Sequence, residues 1–93
     1  MMRRITVDLT NIETPRAMHV YLAYAMGFPP YYGRNLDALH DMLTQIGEDT
    51  LLTIRRPAQL PPQMNRQFPG FSLVLHDAQE ENEHLKVFVE ITE

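Results

Sequence analysis

The segment Tyr31-Tyr32-Gly33-Arg34-Asn35-Leu36-Asp37-Ala38-Leu39-His40-Asp41-Met42-Leu43 constrains this chain more than any other. It reads as a glycine turn that feeds straight into a capped helix. Gly33 permits a tight backbone approach, and Asn35 suits the N-cap. Asp37 falls in the first turn, where a carboxylate complements the helix dipole. The spacing predicts a helix over 35–46, ended by Gly47. Leu36, Leu39, Leu43 and Ile46 share one face, at intervals that suit burial. Asp37, His40, Asp41 and Thr44 share the opposite face, where three- and four-residue steps make neighbours. Two carboxylates and an imidazole thus form an exposed stripe, with two tyrosines at its N-terminal edge. Such a face is suited to a positively charged partner.

The flanking sequence supplies strands. Ile5, Val7 and Leu9 alternate with Thr6 and Asp8 as in a strand, and Leu85, Val87, Val89 and Ile91 alternate with Lys86, Phe88 and Glu90. Leu51-Leu52-Thr53-Ile54 is a short apolar run, as expected for a strand covered on both faces. Thr14 suits an N-cap with Pro15 at the first helical position. Met18, Tyr21, Leu22 and Ala25 give that helix an apolar stripe, and Gly27 is placed to end it. Pro57, Pro61 and Pro62 break any long helix, although Pro62 can start a short one through Phe68. Phe71 to Asp77 fits either period: Phe71, Leu73 and Leu75 alternate, while Phe71, Val74, Leu75 and Ala78 fit a helix. The polar continuation Gln79-Glu80-Glu81-Asn82 favours the helix. Strands separated by helical segments require crossover connections and so predict a small three-stranded parallel sheet packed with helices, an α/β fold.

Composition excludes several functions. The chain has 93 residues, which predicts a single domain over 1–93. It has no cysteine, so no disulfide or thiolate metal site is available. The basic start Met1-Met2-Arg3-Arg4 is followed by no apolar signal core, and no apolar run is long enough to cross a membrane. The expectation is a cytoplasmic protein, monomeric when free. A net charge of -4 without a basic run disfavours direct binding to nucleic acid and suits a basic protein instead.

The order tyrosine pair, glycine, Asn-Leu-Asp-Ala-Leu, one variable position, Asp closely resembles the signature segment of the barstar family, intracellular inhibitors of secreted bacterial ribonucleases. The order is specific because it mixes loop, cap, core and surface residues. The rest of the chain agrees in length and element order, and the resemblance implies the same three-stranded fold. It also implies a partner-binding surface made of Tyr31, Gly33, Arg34, Asn35, Asp37, His40, Asp41, Thr44 and Asp77. Asp41 would occupy the position of the carboxylate that enters the ribonuclease active site. There it would stand in for a substrate phosphate against Arg, Lys and protonated His. Asp37 would support it one turn earlier, and Tyr31 matches the loop tyrosine that contacts the enzyme, with Tyr32 free to pack inward. Asp77 stands where the family has a glutamate at the interface edge.

Two residues depart from the family pattern. His40 replaces a tryptophan, which exchanges a large contact surface for a smaller, titratable one. Protonated, it would turn positive charge toward a basic partner. Arg34 replaces a glutamate and reverses one charge beside the loop. These departures leave open a module of the same fold whose basic partner is not a ribonuclease. On residue type alone, a solvated helix surface explains Asp37, Asp41 and Asp77 as well. Acid–base catalysis by His40-Asp41 or His76-Asp77 lacks a phosphate loop, a nucleophile elbow and convergence, because adjacent helical residues point to different sides. A metal at Asp37, His40 and Asp41 lacks a fourth ligand. No enzyme activity, metal or cofactor is therefore expected, since inhibition by occlusion needs none.

Overall fold

A computed structural model describes residues 1–92. In chain order its elements are β1 (Arg3–Asp8), α1 (Pro15–Met26), α2 (Leu36–Thr44), β2 (Thr50–Pro57), α3 (Pro62–Glu81) and β3 (Leu85–Thr92). The three strands form one parallel sheet in the order β1-β2-β3, with Ile5 against Leu52 and Leu52 against Val87. The α/β architecture is the one expected from the alternation of strand and helix patterns.

Sequential parallel strands joined by right-handed crossovers send their helices to one side of the sheet. Burial agrees. Val7, Leu9, Leu52, Ile54 and Leu85 are buried on the helix side. On the other face Leu51 and Thr53 are half-buried, and Arg4, Thr6, Arg55, Lys86, Phe88 and Glu90 are exposed. The run around Leu51-Leu52-Thr53-Ile54 is therefore covered on one face, not both. The open face is kept in water by a charged row in register, Asp8, Arg55 and Glu90, in which Arg55 Nε lies 3.0 Å from Glu90 Oε2.

Local caps behave as their residue types dictate. Thr14 accepts from the Ala17 N–H, and Gly27 closes α1 in the left-handed region at φ 73°. Asn35 Oδ1 accepts from the Ala38 N–H at 2.8 Å. Two boundaries differ from the sequence reading. α2 ends at Thr44 with Gln45 as its cap, not at Gly47. The reason is tertiary: Asn82, buried beyond the end of α3, donates through Nδ2 to the carbonyls of Leu43 (2.9 Å) and Ile46 (3.0 Å). Those acceptors no longer need a glycine-built cap. Second, 62–81 is one helix of 20 residues that runs through Pro69. Pro69 removes the N–H that would bond Asn65, but both residues are exposed, so solvent can satisfy the freed carbonyl. Burial of Met64, Phe71, Leu75 and Ala78 on one stripe holds the helix together across that gap. α3 meets the start of α2 at Gly70, where an added Cβ would lie 3.1 Å from Leu36 Cδ1.

Leu39 and Leu43 are both fully buried against this core. Leu39→Ala should destabilise the fold by about 2–5 kcal/mol in urea unfolding, the usual cost of an internal leucine truncation. Asn82→Ala strands two carbonyls at once and should cost about 1–3 kcal/mol on the same assay. A near-neutral result at either position would show that α2 is held in some other way.

Candidate functional site: an acidic face across two helices

Once the leucines of α2 are buried, the opposite side of the helix must face solvent. Asp37 and Asp41 are exposed, and the Asp41 side chain keeps 72% of its surface. Thr44 sits one turn further on, but its hydroxyl is committed: Oγ1 donates to the carbonyls of His40 (2.9 Å) and Asp41 (3.2 Å). Its methyl group, not its hydroxyl proton, is what remains for a partner.

The two tyrosines diverge. Tyr31 is 79% exposed, whereas Tyr32 is 6% exposed. Tyr32 turns its ring onto Phe28, with centroids 4.8 Å apart. Its hydroxyl lies 2.7 Å from Nδ1 of His19, which is itself buried in α1. Burial pushes the Tyr32 phenol up to about 12 and lowers His19, so both are neutral at physiological pH. This buried pair fixes the base of the loop and leaves Tyr31 outside. Beyond it, a Cβ on Gly33 would come 3.2 Å from the Ala38 Cβ, so the close approach expected of Gly33 is real. The left-handed residue, however, is Arg34, at φ 53°. A non-glycine residue there costs roughly 1 kcal/mol. Asn35 is occupied as the cap of α2 and also donates through Nδ2 to the Gly33 carbonyl at 3.3 Å.

The second helix completes the face. His40 Nε2 lies 2.6 Å from Glu81 Oε2 on α3, and His40 Nδ1 lies 4.0 Å from Asp41 Oδ1. The hydrogen bond to Glu81 is the main cause that raises the His40 pKa above its ordinary 6.5; desolvation works against it, and the charges of Glu81, Asp41 and Asp77 add to the rise. Asp77 is exposed on α3, one helical turn before Glu81. His76 points elsewhere, into the groove between α3 and β3, so the adjacent His76-Asp77 pair does not converge. Among the described residues no three His, Asp or Glu side chains are placed to share one metal ion.

Glu81 is the member of this candidate face that the residue spacing alone did not single out. It had a signal: it follows Asp77 by four residues, one helical turn. That signal counts only if 62–81 is one helix with this stripe turned toward α2, which is a tertiary fact. The assembled surface carries Asp37 and Asp41 from α2 and Asp77 and Glu81 from α3, with His40 between them and Tyr31 at one end. Carboxylates exposed in this way can each accept charge-assisted hydrogen bonds from cationic groups.

Comparison with known proteins identifies the family. The Bacillus subtilis (strain 168) protein named "Putative ribonuclease inhibitor YrdF" is 49% identical over 43 residues, which is 46% of this chain and 47% of that protein. The match thus spans about half the length of that relative. The family model described as Barstar (barnase inhibitor) matches residues 2–92, nearly the whole sequence. The fold, the capped signature helix and this match together place the chain in the barstar family.

Proposed function

We propose that this chain is a ribonuclease inhibitor that acts by occlusion. It would lay α2 and the Tyr31 loop across the active site of a basic, barnase-like ribonuclease. The observation that carries this reading is the convergence of Asp37 and Asp41 with Asp77 and Glu81 across two helices, beside an exposed tyrosine. A ribonuclease active site must bind phosphate, so it presents cationic groups, and a rigid array of carboxylates competes for them. Asp41, at the middle of α2, is the phosphate mimic. Asp37, Asp77 and Glu81 flank it, and Tyr31 supplies contact area at little entropic cost. Gly33 and Asn35 shape the loop, Arg34 and His40 tune which enzyme fits, and Thr44 closes the far end. No cofactor is needed, because nothing is turned over.

The reading is tested by capture and by inhibition. The chain is used as bait for the secreted and soluble proteins of its source, beside an Asp37→Ala/Asp41→Ala bait, and captured nucleases are assayed with each. A ribonuclease that is held and inhibited by the unaltered chain alone supports the proposal. If the bait holds only a different basic protein, the fold serves another partner.

Asp41→Ala should leave the melting temperature within a degree or so, since the side chain is solvated. It should weaken the complex by about 2–5 kcal/mol, the general cost of truncating one partner of a buried charge pair, for which barnase–barstar is the standard example. Association rates should fall steeply with added salt.

The His40–Glu81 pair gives a pH dependence with a defined sign. The folded-state pKa of His40 is raised, so the pair's contribution to stability is complete below the ordinary value of 6.5 and is lost as pH rises through the raised value. Binding runs the other way. Loss of the His40 proton makes the face more negative by one charge, so a basic partner should bind tighter at about pH 8.5 than at about pH 5.5. Titration calorimetry with His40→Gln should show a flatter profile. An unchanged slope in that variant would remove His40 as the titrating group.

A further inference from the structure

The outer edge of β3 is the part of this fold that its own chain leaves least finished. β3 lies at the margin of the sheet, bonded only to β2. Thr50 N–H donates to the His84 carbonyl and Ala58 N–H to the Thr92 carbonyl, so even-numbered residues of β3 turn their backbone groups toward β2. Val87, Val89 and Ile91 turn theirs outward. Gln79 accepts from the Val87 N–H at 2.6 Å. Among the described residues no side chain caps Val89 or Ile91. The side chains around this edge are apolar and open: Phe88 is 57% exposed, Ile91 62% and Val89 36%. The opposite margin, β1, presents Arg4 and Thr6 instead. Beside β3, a groove of about 140 Å³ lies between it and α3, lined by Ser72, Leu75, His76, Gln79, Val87 and Val89. An uncapped, apolar strand edge is a template for another strand.

The sequence of β3 selects the partner. Antiparallel pairing of β3 with itself forms ladder bonds only where outward-facing residues stand opposite one another. Among such registers, one sets Phe88 opposite Phe88 of a second copy. It brings Val87 opposite Val89, and Lys86 opposite Glu90 twice over. Centring on Val89 instead sets Phe88 against Glu90, and centring on Glu90 opposes two carboxylates. Charge therefore favours the first register. It also prolongs the row on the open face: Asp8, Arg55 and Glu90 already alternate in sign, and the second copy's Lys86 continues the alternation.

We propose that two copies of this chain pair antiparallel along β3, about a two-fold axis at Phe88, and join their sheets into one. Val87 N–H passes from Gln79 to the second copy's Val89 carbonyl, and Val89 N–H gains the acceptor it lacks. This departs from the free monomer expected from sequence. It is independent of the ribonuclease reading. Ser72, His76 and Gln79 of α3 face the groove, while Glu81 reaches α2, so the acidic face stays uncovered.

Sedimentation equilibrium over a wide concentration series tests it. The mass should rise from 10.8 kDa toward twice that value. Lys86→Glu and Glu90→Lys should each weaken self-association about tenfold or more, because like charges then stand opposite. Circular dichroism checks that both variants fold. Mixed together, the two variants should associate with each other, since each carries a single sign at the paired positions. A 10.8 kDa species at every concentration overturns the proposal. So does a dimer indifferent to both variants, or a mixture of the two that stays monomeric.

Discussion

Asn82 ties the two helices of the acidic face into one body. Its buried amide donates to the last carbonyls of α2, and its Oδ1 accepts from the His84 N–H at the entrance to β3. One side chain thus ends α2, follows the end of α3 and starts the turn into β3. A buried amide with its bonds made is costly to displace, because any movement strands a donor or an acceptor away from water. The 2.6 Å contact between His40 on α2 and Glu81 on α3 lies one residue along the chain from that clamp.

The face that the clamp supports gathers like charge. Four carboxylates gathered on two packed helices repel one another, and a folded chain gains nothing from the repulsion. His40 offsets it locally, and the N-terminal position of Asp37 on α2 recovers some of it through the helix dipole. Arg34 in the left-handed region adds backbone strain at the same place. Strain and like charge at one surface, on a scaffold with an ordinary core, fit the proposed role, in which the complementary charge lies on another molecule.

Rigidity beneath this surface comes from a buried polar pair. Tyr32 and His19 meet at 2.7 Å below the loop and are held neutral by burial. The adjacent Tyr31 is thereby presented on a fixed base. An aromatic side chain whose backbone is already ordered loses little further freedom on binding, so more of its contact area appears as affinity.

What the sequence determined by itself were the features that rest on neighbours along the chain. The caps at Thr14, Gly27 and Asn35, the two faces of α2, the parallel α/β order and the signature stripe all follow from spacing and residue type. What only the tertiary structure decided depended on distant segments. Spacing puts the end of α2 at Gly47, but Asn82 supplies the acceptors' partner from 39 residues away. The helix through Pro69 survives because its buried stripe outweighs one lost bond. Which tyrosine stays outside was settled by His19, and the place of Glu81 in the acidic face by how α3 packs on α2. Local rules describe the groups a residue carries; burial, which depends on the whole chain, decides which of those groups must find a partner inside and which are left to meet another molecule.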